Sequence, residues 1–134
     1  MELPMIRALL CGWLGFCPPI AGPAYVQDGD TIYVGGQSIR LWGIDAEELY
    51  EPAGLPSKYH LVYLIAREEV TCTPTGDLSH YRMVATCSTL RHKDLGRAQV
   101  LAGAALDCKH YSLGVYRNDE PADARTKLKQ KPYC

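Results

Sequence analysis

The sequence predicts an α+β fold, mainly β, in which a curled sheet is packed by a few helices. Three observations lead there. Two β-rich runs, Thr31 to Val34 and Gln37 to Ile44, flank Gly35-Gly36, and a two-residue glycine loop supplies the positive φ of a tight hairpin. Two further strand-like runs, Glu69 to Thr73 and Tyr81 to Leu90, follow an intervening helical segment. Helical spacing then dominates the C-terminal third, so strands and helices segregate instead of alternating as they do around a parallel sheet.

Each element has a local cause. In the hairpin, Ile32, Val34, Ile39 and Leu41 alternate with Tyr33, Arg40 and Trp42, giving one apolar and one mixed face. Ser57 to Arg67 carries Leu61, Leu64 and Ile65 at helical spacing, with Pro56 and Ser57 at its start. The two later strands are joined by a polar loop with Pro74, Gly76 and Asp77. Asp94 is placed to cap a second helix with Leu95, Ala98, Leu101 and Ala102 on one face and Gly103 as its stop. A third helix is predicted from Ser112 towards Lys129, kinked or restarted at Pro121.

The chain has 134 residues, one domain's worth of core. Residues 1–19 form an apolar N-terminal segment, read as an export signal, and 20–134 form the domain. The apolar run is too short to span a bilayer, so no membrane helix is predicted. Six cysteines with no CxxC pair point to disulfides and a secreted or periplasmic chain, with a cytoplasmic protein bearing free thiols as the alternative. Cys72 and Cys87, in consecutive strand-like runs, suit a cross-strand bridge; the other pairings are left open.

The formal net charge of -1 conceals a split. Residues 1–90 hold five Lys/Arg against ten Asp/Glu, and residues 91–134 hold nine against five. A basic half can face phosphates while an acidic half holds a cation; the alternative is that both are ordinary solvated surface. The acidic groups concentrate in Asp28-Gly29-Asp30-Thr31 and Asp45-Ala46-Glu47-Glu48, around Arg40. Two Asp side chains and a backbone carbonyl suit a hard cation such as Ca²⁺, although Asp28-Gly29 is also an ordinary turn and Glu47-Glu48 an ordinary solvated loop.

The hairpin register pairs Val34 with Gln37, Thr31 with Arg40 and Asp30 with Leu41. On a flat ladder Asp30 and Asp45 stay four residues apart, roughly 13 Å. Only a bulge or bend at Gly29 and Gly43 brings them together.

The stretch VQDGDTIYVGGQSIRLWGIDAEEL closely resembles the staphylococcal nuclease (thermonuclease) family's pattern of DGDT, a strand, a short turn, RL, a hydrophobic pair and D-x-P-E. The resemblance continues through HYRMVATC, DLGRAQVLAGAAL and YSLGVYRNDEPADAR, covering about residues 20 to 129. It implies a five-stranded OB-fold barrel with about three packed helices, and a monomeric nuclease that hydrolyses single- or double-stranded DNA and RNA with little sequence preference. It further implies Ca²⁺ held by Asp30, Asp45 and the Ala46 carbonyl, Arg40 and Arg82 on the scissile phosphate, and Glu48 near the attacking water. Two guanidinium forks and a divalent cation suit a transition state that gathers negative charge on phosphate oxygens. Glu48 serves as general base or orients water, and the residues leave that choice open. His80 stands where it touches the phosphate or covers the barrel rim.

Three places depart from the family's pattern. The proline of D-x-P-E is Glu47, the glycine before the second arginine is Tyr81 after Leu78-Ser79, and Leu106 and Cys108 stand where nucleotide-stacking tyrosines are found. Tyr111 and Tyr116 are the candidate replacements. These departures motivate two rival readings: a catalytically weak OB-fold module that binds nucleic acid or protein, and an interaction domain whose acidic loop takes no metal.

Overall fold

The computed structural model describes residues 18–134, so the export signal read in the N-terminal segment lies outside the described residues. Among the described residues eight strands form: β1 (Ile20–Gly22), β2 (Ala24–Asp28), β3 (Thr31–Val34), β4 (Gln37–Leu41), β5 (Ile44–Asp45), β6 (Val70–Ser79), β7 (Arg82–Ser88) and β8 (Leu106–Asp107). Four α-helices among the same residues accompany them: α1 (Gly54–Ile65), α2 (Leu95–Leu101), α3 (Lys109–Ser112) and α4 (Ala124–Lys127), with a 3₁₀ turn at Arg117–Asp119. The fold is α+β and mainly β, as the sequence predicts. Six strands make one mixed sheet in the order β1-β6-β7-β4-β3-β2, and β5 pairs with β8 in a small second sheet.

The five-stranded barrel implied by the resemblance is corrected: the hydrogen bonds form a six-stranded mixed sheet that does not close. No ladder joins the edge strands β1 and β2. They follow each other across Pro23 alone, too short a link for a hairpin, so they continue end to end instead of pairing side by side. Because successive strands occupy opposite edges, the sheet has to bend round on itself to deliver the chain from one edge to the other.

The β3–β4 hairpin has the register read from Gly35-Gly36: Val34 faces Gln37, Thr31 faces Arg40, and Leu41 N–H donates to Asp30 O at 2.8 Å. Its apolar face, Ile32, Val34, Ile39 and Leu41, is fully buried against Leu61, Leu64, Leu95 and Val100. Burial of each such side chain contributes roughly 1.5 to 3 kcal/mol.

Helix α1 starts three residues earlier than predicted, at Gly54, which places Pro56 in the first turn, where its missing N–H costs nothing. Helix α2 has the predicted ends: the Asp94 carboxylate accepts the Arg97 N–H at 3.1 Å, and Gly103 takes φ +73° just past the end. Its predicted face is corrected: Leu95, Gly96, Gln99 and Val100 are buried, whereas Leu101 and Ala102 are exposed.

Two predictions fail for local reasons. The polar loop after Thr73 is instead strand: β6 runs on to Ser79, absorbing Pro74 and Gly76 in a bulge between Pro74 and Leu78. The turn lies at His80-Tyr81, both at positive φ. The long third helix breaks into α3, the 3₁₀ turn and α4, because Leu113 and Gly114 adopt left-handed backbone and Pro121 prevents continuation. Among the described residues no helix is long and apolar enough to cross a membrane.

Among the described residues there are two disulfides. Cys72–Cys87 is the cross-strand bridge read from the sequence, and Cys108–Cys134 ties the segment after α4 to the segment after β8.

A candidate cation and phosphate site

The bend that the sequence demands is built at two glycines. The β2–β3 register shifts between Val26 and Asp28, and Gly29 follows it. A Cβ at Gly29 would lie 1.8 Å from Ser57 Oγ, so only glycine lets this turn approach α1. Gln99 fixes the turn from α2: its buried amide donates to Gly29 O at 2.8 Å and Ser57 O at 3.1 Å, while its oxygen meets His60 Nδ1 at 2.5 Å. Past β4, Gly43 at φ +76° reverses the chain into β5. Asp30 and the Asp45-Ala46 step thereby meet, and Ala46 N–H donates to Asp30 Oδ2 at 2.9 Å.

Arg40 sits at the centre and is 6% exposed. Its Nη2 lies 3.5 Å from Asp30 Oδ2 and 3.7 Å from Asp45 Oδ1, and donates to Ile44 O at 3.2 Å. Burial disfavours its charge, but Asp30, Asp45 and Asp28 outweigh that and raise its pKa. Asp28 accepts the Asp30 N–H at 3.2 Å; burial first, then the Asp30 carboxylate, pushes its carboxyl up to about 7.

Arg82 reaches the same place from β7. Its Nη1 donates to Thr31 Oγ1 at 2.9 Å, and that hydroxyl donates to Asp30 Oδ1 at 3.0 Å. Tyr81 does not displace it: the tyrosine occupies a positive-φ turn position with its ring 99% exposed, leaving Arg82 in register opposite Ser79. His80 is the other turn residue, at φ +50°, on the rim of the sheet.

The candidate donors converge on a cation from the chain itself. Lys131 Nζ donates to Asp45 Oδ1 and to Ala46 O, both at 2.8 Å, and lies 3.3 Å from Glu48 Oε1. Burial opposes this ammonium, yet the hydrogen bond and charge of Asp45, with Asp30 and Glu48, raise its pKa above the usual lysine range. Oxygen-only donors holding a positive charge are the chemistry a hard divalent ion needs, with the ammonium as stand-in. Asp30 is the weaker member: its oxygens are taken by Thr31, Ala46 N–H and Arg40, and it acts on the ammonium by charge. Among the described residues no three His, Cys, Asp or Glu side chains gather as a metal-holding group.

Tyr111 and Tyr116 separate. Tyr111 is 39% exposed, lies edge-on to Tyr133, and lines a shallow recess with Arg40, Ser79 and Val84. Tyr116 is 2% exposed, packs against Trp42 and donates its hydroxyl to Asp94 Oδ2 at 2.7 Å. The expectation that Tyr116 offers a face to a base is therefore corrected: it is a core residue. Leu106 and Cys108 are likewise buried.

Sequence reasoning missed Lys131, and it missed the work of Glu47, whose Oε1 accepts Ala53 N–H at 3.2 Å and whose Oε2 accepts Lys129 N–H at 3.0 Å. The only signal was the alternating Lys127, Lys129 and Lys131 ahead of a terminal cysteine.

No protein-family model matches the chain. The chain is similar to the succinoglycan biosynthesis protein ExoI of Rhizobium meliloti (strain 1021), at 31% identity over 113 residues, covering 76% of this chain and 59% of that protein. The chain thus spans less than two thirds of this curated relative's length.

Proposed function

We propose that the chain is a divalent-cation-dependent phosphodiesterase acting on DNA and RNA, a member of the staphylococcal nuclease family built on an OB-type curl of its bent sheet. The observation that carries the proposal is the convergence of Asp30, Arg40, Asp45, Ala46 O, Glu48 and Arg82, drawn from four separate segments, on one bend. The ExoI relative's name speaks of succinoglycan biosynthesis, so the proposal rests on these residues and on the motif resemblance.

Asp45 and Ala46 O would hold Ca²⁺, with Asp30 beside them. The bound ion supplies fixed positive charge next to the phosphate oxygens. Arg82 would take the phosphate: its Nε is anchored on Ser79 O at 3.3 Å, and the Thr31 hydroxyl on its Nη1 is a partner that a phosphate oxygen can replace. Arg40 is committed to two internal carboxylates and a carbonyl, so it holds the donors in place and offers its remaining N–H groups. Glu48, part-exposed at the mouth, orients or deprotonates the water. The water oxygen bonds to phosphorus, the P–O5′ bond breaks, and the departing oxygen takes a proton, leaving a 3′-phosphate. Two disulfides support export to an oxidising compartment, and the chain acts as a monomer.

A second reading, a binding module with weak turnover, is favoured by the seated Lys131 and by the loss of the stacking platform at Leu106 and Cys108. Stacking contributes on the order of 1 to 3 kcal/mol per base. Hydrolysis of single-stranded DNA over a wide range of Ca²⁺, and with chelator, separates the readings. Ca²⁺-dependent cleavage that falls by about 10² or more in folded Glu48→Ala and Arg82→Ala supports the enzyme. Binding without cleavage supports the module.

A further inference from the structure

We infer that residues 129–134 are a built-in plug, with the Lys131 ammonium occupying the cation position and keeping divalent ions out until the tail is displaced. The inference rests on the reading of Asp45 and Ala46 O as cation donors, but not on phosphodiester hydrolysis.

The tail is seated by directed bonds at successive residues. Lys129 N–H donates to Glu47 Oε2 at 3.0 Å, and Gln130 Nε2 donates to Asp107 O at 2.7 Å. Lys131 N–H donates to Asp45 Oδ2 at 2.9 Å while its ammonium takes Asp45 Oδ1 and Ala46 O. Tyr133 packs edge-on to Tyr111, and Cys134 is bonded to Cys108. Lys131 therefore takes a hydrogen bond to each Asp45 oxygen, with Arg40 also 3.7 Å from Oδ1. A divalent ion that uses Asp45 and Ala46 O has to evict the ammonium, because two cations cannot share those oxygens.

Glu47 gives the departure from the D-x-P-E pattern a purpose. A proline there has no carboxylate to receive Lys129, so the residue that breaks the pattern is the one that anchors the tail. The Cys108–Cys134 bond raises the effective concentration of the tail over its seat. The apparent cation affinity then equals the intrinsic affinity multiplied by the fraction of molecules with the tail lifted.

The test is Ca²⁺ titration by calorimetry on the full chain as wild type, Lys131→Gln and Cys134→Ser, with cooperative unfolding as the check on folding. Lys131→Gln is expected to bind Ca²⁺ about tenfold tighter or better, as for a tail seated nine-tenths of the time, and Cys134→Ser to gain by less. On wild type, hydrogen exchange of the Lys129 and Lys131 amides is expected to accelerate as Ca²⁺ is added, a readout that needs no variant to fold. Equal affinity in all three proteins, with those amides protected at saturating Ca²⁺, overturns the plug and leaves the nuclease reading standing. Tighter binding in Lys131→Gln without any DNA cleavage upholds the plug and removes the nuclease. Absence of Ca²⁺ binding in every folded form overturns both.

Discussion

Asp28 shows how closely the carboxylates are packed. Its side chain is buried beside Asp30, and its carboxyl is pushed up to about 7 from an ordinary 3.8. A raised acid means that the folded state holds a proton the unfolded chain has released. Stability from this group is thus full below about pH 4, falls as pH rises, and is fully lost above about 7. Asp28→Asn is expected to flatten that fall, read as a melting temperature that declines less than wild type between pH 4 and 7. An equal decline in both proteins would mean that Asp28 is not the titrating group. The residues carrying this cluster were readable in advance through the motif resemblance, since taken locally Asp28-Gly29 is equally an ordinary turn. Lys131 was not, since a lysine 86 residues from Asp45 gives no local sign of where its ammonium goes.

Strands and helices whose ends are set by local chemistry were predictable, and those set by distant packing were not. Asp94 and Gly103 bound α2 through their own backbone and side-chain preferences, so its limits could be read directly. Asp94→Ala is expected to cost about 1 kcal/mol for the cap, and more because the buried Tyr116 hydroxyl loses its acceptor; urea unfolding measures it. A loss well under 1 kcal/mol would place the helix's stability in packing alone. In contrast, the extension of β6 through Pro74 and Gly76 depends on a bulge against β7, which no periodicity in β6 announces. The C-terminal helix failed similarly: its helical spacing was real, but Leu113 and Gly114 turn the chain so that Tyr116 reaches Trp42 and the tail can return to the site.

The charge asymmetry along the chain takes on a different meaning once the fold is known. The basic C-terminal half does not only face outward: its last lysine closes on the acidic bend formed by the N-terminal half. The bent sheet makes this possible by drawing the β2–β3 turn, β4 and β7 to the place where β5 leaves it, while Cys108–Cys134 keeps residues 129–134 there. A molecule arranged in this way gathers carboxylates and arginines at one bend and carries a cation of its own in their midst. The most direct measurement is therefore Ca²⁺-dependent hydrolysis of single-stranded DNA by Lys131→Gln, with Lys131→Gln/Glu48→Ala as its control. The account predicts cleavage at lower Ca²⁺ than wild type requires, abolished by chelator and by the second substitution. Folded Lys131→Gln that binds Ca²⁺ yet leaves DNA intact, or cleavage that survives in the double variant, would contradict it.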